Sequence, residues 1–298
     1  MTNITIATDE NYAPHVAALM ASIFVNSHSN NINIYLLADN LTDNAKEKLK
    51  QLAKKFSVHI NIIEGNVENF YTSDHLSKAA YLRLKIPELL PESVSRAIYL
   101  DADLLVKCDI AELFNFDIQN KPLAAVPDLG IMASKRSMRE KSKTLGIDTT
   151  APYFNSGVII MDLEKWRAND YTNKLLELVK THNFRHHDQD ALNMLFYNNW
   201  YALPFEYNLI PPVFELPLKT LFSKYRKDAI NAIKNAKIIH YAGGHKPWHY
   251  KKTANLNEYY YEMLSLTPFE IPEPQEKTFR KYRELARIRR GQFLASIL

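Results

Sequence analysis

A strict alternation over the first 65 residues restricts the fold more than any other feature. NITIAT has the apolar, β-branched character of a strand, and YAPHVAALMASIFVN follows with a largely apolar helical face. NINIYLLAD reads as a second strand, residues 42 to about 56 as a polar-capped helix, and VHINIIEG as a third strand. Such βαβα order predicts an α/β domain built on a mostly parallel, Rossmann-like central sheet covered by helices. Further along, AAYLRLKIPELL reads as a helix ended by Pro91, and RAIYLDAD as a buried strand leading into a loop. AAVPD and SGVIIMDL read as strands, the second running into a helix around LEKWRAN. HHDQDALNMLFYN reads as a helix with acids near its start, and AKIIHYAGG as a late strand ending in a glycine turn.

The segment SLTPFEIPEPQEK, with three prolines in seven positions, divides a body of residues 1–266 from a linker and tail of residues 267–298. The charge is divided in the same way. Residues 277–290 carry seven basic groups and one acidic group, whereas the rest of the chain has 30 basic and 32 acidic residues. A basic surface spread for nucleic acid does not look like this, and no nucleic-acid partner is expected. In the tail, Phe279, Tyr282, Ala286, Phe293 and Ile297 recur at helical spacing between basic residues. That pattern predicts an amphipathic helix lying on an anionic membrane surface. MTNITIATDE lacks the basic start and apolar core of a signal peptide, HVAALMASIFV is too short to span a bilayer, and Cys108 is the sole cysteine. The expected location is cytoplasmic, peripherally attached to the inner face of the membrane.

Two nucleotide signatures, G-x-G-x-x-G and G-x-x-x-x-G-K-[ST], are absent, and seven glycines can hardly build a phosphate cradle. Any nucleotide diphosphate must be neutralised by other means. Residues 96–107, RAIYLDADLLVK, offer one. In a strand, positions i and i+2 share a face, so Asp101 and Asp103 are expected to converge while Ala102 turns away. Two carboxylates that close resist ionising unless a positive charge lies between them. A divalent cation would supply it. The competing reading is a pair of solvated loop acids.

YLDADLLV looks like the DxD motif of metal-dependent glycosyltransferases. Together with ATDENYA, YFNSGVIIMDLEKW, the DQD after HH, and HYAGGHKPWH, in that order, it resembles glycosyltransferase family 8 over roughly residues 3 to 260. Within that family the resemblance leans toward the lipooligosaccharide galactosyltransferases of Gram-negative bacteria. The resemblance implies a GT-A type nucleotide-sugar-binding domain. It implies a retaining transfer of galactose, with glucose as the rival, from a UDP-hexose to an oligosaccharide or lipid-linked saccharide acceptor. It also implies metal ligation by Asp101, Asp103 and His240. A nitrogen ligand favours Mn²⁺, with Mg²⁺ the alternative.

The remaining site residues are carried over in the same way. Lys246 is expected on the diphosphate beside Gly243 and Gly244, and Ala7, Asp9, Asn11 and Tyr12 on the nucleoside. The acceptor-only carboxylate of Asp9 suits the imide N–H of uracil. Ala102 and Ser156 complete the donor contacts; Arg83, Asp103, Asn155, Asp188 and Gln189 face the sugar; and Asp128, Asp188 and Gln189 stand at the reacting centre. The acceptor is expected under a loop of residues 130–150.

The bland alternatives stay open for several of these. His240 is also a plausible buried strand histidine, Asp9 or Asn11 a helix cap, and Arg83 a helix-surface arginine. Trp248 either stacks on a sugar or anchors a turn. For the whole chain, the rival functions are a UDP-sugar-binding protein without catalysis and a metal-dependent nucleotidyltransferase.

Overall fold

The computed structural model describes residues 1–65, 81–211, 213, 225–244, 246–249, 255–270 and 286. Nine strands are present among them: β1 Thr2–Asp9, β2 Ile32–Asp39, β3 His59–Glu64, β4 Arg96–Leu100, β5 Leu104–Val106, β6 Leu123–Pro127, β7 Phe154–Asp162, β8 Tyr201–Ala202 and β9 Ile238–His240. Seven form one sheet in the order β3-β2-β1-β4-β7-β6-β8. The pairs β1–β2, β2–β3, β1–β4 and β6–β8 are parallel, while β7 runs antiparallel to both β4 and β6. The remaining strands, β5 and β9, pair antiparallel as a small second sheet.

Both faces of the large sheet are covered, so its central strands are apolar on both sides rather than alternating. Ile4, Ile6, Ile98 and Leu100 join the core beneath the helices Ala13–Asn26 and Asp43–Lys55. Ala7, Ala97 and Tyr99 join the opposite core, beneath the helices Leu163–Ala168 and His187–Leu195. The helix Ala13–Asn26 is buried nearly all round because it has two neighbours. Leu19 and Ile23 face the large sheet's core, whereas Ala18 and Ala21 pack with Leu105, Ile239 and Tyr260. Ser22 on this helix accepts the Val106 N–H at 2.9 Å, and Asn26 donates to the Val106 carbonyl at 3.1 Å, which pins β5 in place.

The alternating N-terminal half has the elements expected of it. Thr42 caps its helix by accepting the Ala45 N–H at 3.2 Å. The helix expected over AAYLRLKIPELL is broken: residues 79–80 lie outside the described residues, Tyr81 and Leu82 are helical, and a 3₁₀ turn, Arg83–Lys85, then leads into a short helix, Ile86–Leu89. Pro87 lacks an N–H and is tolerated only in a first turn, so the chain restarts there. Residues 130–150, expected as a loop, are largely helical: Leu129–Met132 and Lys135–Leu145. Asp128 and Ser134 cap them, accepting from Ile131 N at 3.0 Å and Ser137 N at 3.1 Å. Gly146, at φ 68°, ends the second helix in the left-handed conformation. Its inward stripe is Met138, Lys141 and Leu145, and a lysine at the central position hides the amphipathic pattern.

Among the described residues, no helix is long and apolar enough to cross a membrane. The Pro-rich segment beyond Glu270 and the basic tail, apart from Ala286, lie outside the described residues.

Candidate active site

The parallel strands β1 and β4 run side by side, with Ile6 paired to Leu100, the last residue of β4. Ala7 and Asp101 follow at the carboxyl edge, where open α/β sheets take their ligands. Beyond Leu100 the chain turns, and it re-forms as β5 only at Leu104. Asp101 and Asp103 therefore sit in a turn between two sheets, not in a strand as expected. They converge because β5 hands the chain to β9: Leu104 pairs with His240, and Tyr241 N–H donates to the Asp103 carbonyl at 3.0 Å. Ligand atoms of Asp101, Asp103 and His240 all lie within 4.8 Å of one another.

The surroundings orient these three side chains. Tyr99 donates to Asp101 Oδ1 at 2.7 Å, and Arg83 Nη2 lies 3.0 Å from the same oxygen. His240 Nε2 is 3.3 Å from Asp103 Oδ1 and 3.8 Å from Asp101 Oδ2. Its other nitrogen, Nδ1, is 2.9 Å from Asn208 Oδ1, an acceptor, so the Nδ1 proton belongs to that bond. Nε2 is left to face the two acids. Asn208 is fixed in turn by donating to Asn155 Oδ1 at 2.8 Å, and Asn155 accepts the Gly157 N–H at 2.9 Å. Gly157 gives the site its room. A Cβ there would stand 2.3 Å from His240 Cε1 and 2.9 Å from Asp101 Oδ2.

Lys246 pairs with Asp103 and also donates to the Tyr241 carbonyl at 2.8 Å. Burial alone would raise the Asp103 pKa, but His240 and Lys246 outweigh it and hold the carboxyl well below the usual carboxylate range. Tyr12, half-buried nearby, is pushed up to about 12 by burial and by the charges of Asp103, Asp9 and Asp101.

Arg83 is 7% exposed and lies behind the acids rather than on an open face. It donates to the Ser156 carbonyl at 2.7 Å and to Ser156 Oγ at 3.0 Å, and its Nε is 2.6 Å from Asp188 Oδ2. Burial disfavours the guanidinium charge, yet Asp101 and Asp188 raise its pKa overall. Burial also pushes Asp188 up to about 6 against the opposing pull of Arg83.

Gln189, one residue on, is held at both ends. Its Oε1 accepts the Ser156 N–H at 3.1 Å, and its Nε2 donates to Asp128 Oδ2 and to Tyr153 Oη, both at 3.2 Å. Asp128 Oδ2 also receives Asn155 Nδ2 at 3.3 Å, while Oδ1 caps the following helix.

A cavity of about 450 Å³ is lined by Asp101, Asp103, Asp128, Asn155, Gln189, His240 and Gly243, together with His186 and Ile131. Of the expected residues, Ala7, Asp9, Asn11, Tyr12, Arg83, Ala102, Ser156, Asp188 and Lys246 are not among its lining. Asp9 Oδ1 accepts the Tyr12 N–H at 3.1 Å, so Asp9 rather than Asn11 is the cap, and Asn11 is exposed. Trp248 anchors the chain. Its ring stacks on His15 at 3.4 Å and 9°, with the edge of Tyr12 at 5.9 Å. His15 donates to or accepts from Tyr260 Oη at 2.7 Å, and burial lowers its pKa to about 3, so it stays neutral. The sequence offers no signal for Asn208 or Lys141, which the fold brings in; Tyr153 opens YFNSGVIIMDLEKW and His186 the HH before DQD, yet neither motif marks them as site residues.

The sequence profile of glycosyl transferase family 8 matches residues 3–252. The chain belongs to glycosyltransferase family 8. It is 33% identical over 275 residues to general stress protein A of Bacillus subtilis, covering 89% of this chain and 93% of that one. It is 31% identical over 280 residues to a lipopolysaccharide 1,2-glucosyltransferase of Escherichia coli K12, covering 92% and 80%. Among solved structures, the galactosyltransferase LgtC, determined with donor and acceptor sugar analogues, superposes with a TM-score of 0.79 over 95% of this chain and all of that one, at 24% identity. The fold is accordingly of the GT-A type, as expected from the residues that carried the resemblance.

Proposed function

We propose that this family 8 glycosyltransferase moves a hexose from a UDP-sugar to a saccharide hydroxyl with retention at the anomeric carbon. Asp101, Asp103 and His240 would hold a divalent cation, Mn²⁺ in preference to Mg²⁺. One observation carries this reading: two carboxylates and an imidazole converge, and the proton on Nδ1 is committed to Asn208, leaving Nε2 as the ligand nitrogen. Gly157 supports it, since any side chain there would fill the space beside His240 and Asp101. The cation would supply Lewis-acid neutralisation of the departing diphosphate.

This chain's residues do the rest. Lys246 brings a second positive charge to the diphosphate side, and Asp9 and Tyr12 at the carboxyl end of β1 receive the nucleoside. Asn155, Asp188, Gln189 and Arg83 orient the sugar, the last through Ser156 and the two acids it pairs. In the reaction, the C1–O bond to phosphate breaks with its electron pair leaving on the phosphate. The acceptor oxygen bonds C1 from the same face, and its proton passes to the departing phosphate oxygen.

A double displacement needs an uncommitted carboxylate under C1. Asp128 is fully engaged by Asn155, Gln189 and Ile131, and the amide of Gln189 is a poor nucleophile. These commitments favour the front-face route. The Escherichia coli relative makes UDP-glucose as strong a candidate donor as UDP-galactose, and a lipopolysaccharide-type acceptor a reasonable one.

Incubation with UDP-galactose, UDP-glucose and Mn²⁺, with and without a lactose-type acceptor, tests the reading. UDP release with sugar transfer supports it. Binding without release would leave a non-catalytic sugar-nucleotide-binding protein, and release of hexose 1-phosphate, the uridylyl group passing to another acceptor, would indicate a nucleotidyltransferase.

A further inference from the structure

Lys141 is a lysine with 1% exposure, on the helix Lys135–Leu145, and none of the chemistry above uses it. Its Nζ is 2.7 and 2.8 Å from the two oxygens of Asp190 and 2.6 Å from His186 Nδ1. Asp190, equally buried, also receives Tyr153 Oη at 2.6 Å and the His186 backbone N–H at 2.9 Å. Tyr153 Oη in turn receives Gln189 Nε2 at 3.2 Å.

The directions of these bonds follow from the charges of Lys141, Asp190 and Asp128. An ammonium group donates and cannot accept, so His186 Nδ1 must be the acceptor and the ring's proton sits on Nε2. The Asp190 carboxylate accepts only, so it takes the single proton of Tyr153. That leaves the tyrosine oxygen able only to accept from Gln189. Asp128 likewise only accepts, so both partners require the Gln189 NH₂ on their side and aim Oε1 at Ser156. The amide cannot flip without losing these bonds.

We propose that Lys141 is a positioning residue for the reacting centre: it fixes His186 as a neutral Nε2–H donor on the cavity wall and, through Asp190 and Tyr153, fixes the orientation of the Gln189 amide. His186 lines the same cavity as Gln189, Asp128 and Asp103. Its side chain is 36% exposed, and among the described residues Nε2 has no partner. It thus presents one fixed donor to an oxygen of the acceptor. Burial and the charge of Lys141 lower the His186 pKa against the opposing pull of Asp190 and Asp128, with Arg185 also lowering it, which agrees with a neutral ring.

The inference rests on the glycosyl-transfer reading for the role of Gln189, and the test separates the two. The ¹⁵N resonances of His186 in the intact, substrate-free protein read its tautomer directly. A neutral Nε2–H ring at pH 7 is the expected result; an Nδ1–H or cationic ring overturns the inference whatever the activity. Kinetics supply the second arm. Y153F keeps the Lys141–Asp190 pair but removes the link to Gln189, and kcat should fall about tenfold with little change in acceptor KM, the worth of one oriented hydrogen bond. K141M should lower kcat and raise acceptor KM, each by about tenfold, and K141R should restore most of both. If K141M fails to fold, Y153F and the tautomer still decide. Wild-type kcat and KM in Y153F would also overturn the inference. The expected tautomer in a chain that transfers no hexose from any UDP-sugar would sink the functional reading and leave the hydrogen-bond assignment standing.

Discussion

Asp103 and Asp190 are both carboxylates paired to a lysine in the interior, yet their surroundings differ in kind. Asp190 is 1% exposed and saturated: Lys141 holds both oxygens, and Tyr153 and a backbone N–H complete its shell. Asp103 lines a cavity, has a second carboxylate beside it, and faces an imidazole nitrogen whose partner nitrogen is already committed. A buried charge with its partner is therefore no mark of a binding site. Converging acceptors that the protein leaves incompletely satisfied are such a mark, because they retain capacity for a ligand that the fold does not supply.

The largest expected effects set these two acids directly against each other. D103N should cut sugar transfer by at least about a hundredfold while urea denaturation moves little, since even outer-shell partners of a metal are worth 10–100-fold. D190N should do the opposite first, costing about 3–5 kcal/mol of stability in the same denaturation by leaving Lys141 buried without its counter-charge. Equal stability losses in the two variants would erase the distinction.

Removing the support behind His240 comes next. N208L, which takes away the acceptor for Nδ1, should weaken Mn²⁺ binding about 10–100-fold by calorimetry. G157A should follow, destabilising by about 1–3 kcal/mol through overpacking against His240 and Asp101, with Mn²⁺ affinity falling in parallel.

A pH dependence comes last. The folded chain binds the Asp188 proton more tightly than the unfolded chain, because burial lifts it to about 6 from 3.8. Its contribution to stability is therefore full below about pH 4 and declines as pH rises toward 6. The stability of wild type relative to D188N should fall across that window and then level off. A relative stability that rose there would contradict the assignment.

The elements are legible where periodicity is strong. β1 and β2 announce themselves because parallel strands covered on both faces are buried over nearly their whole length, and the capped helix Asp43–Lys55 by its polar outer face; β3 lies at the sheet edge with no residue fully buried. The three-residue strands β5 and β9 carry no such pattern, and their pairing, which brings His240 to Asp103, is a long-range event. Asp101, Asp103 and His240 were visible as motif residues, but the strand geometry expected of the two acids was not the means of their convergence; a turn does that work. Arg83, expected to face the sugar, lies beneath the acids, because its two carboxylate partners and Ser156 compensate its burial. Lys141 is hidden in a charge run, KRSMREKSK, whose other charged members are exposed or half-buried. Periodicity cannot single out the one lysine that turns inward when its partner, Asp190, is 49 residues away.

Metal uptake itself is the most direct measurement. Free Mn²⁺ is followed by electron paramagnetic resonance as wild type and the D101N/D103N double variant are titrated in the presence of UDP. Wild type should remove Mn²⁺ from solution in a 1:1 complex and the double variant should not. Equal uptake by both, or full transferase activity of the wild type in excess chelator, would contradict the account.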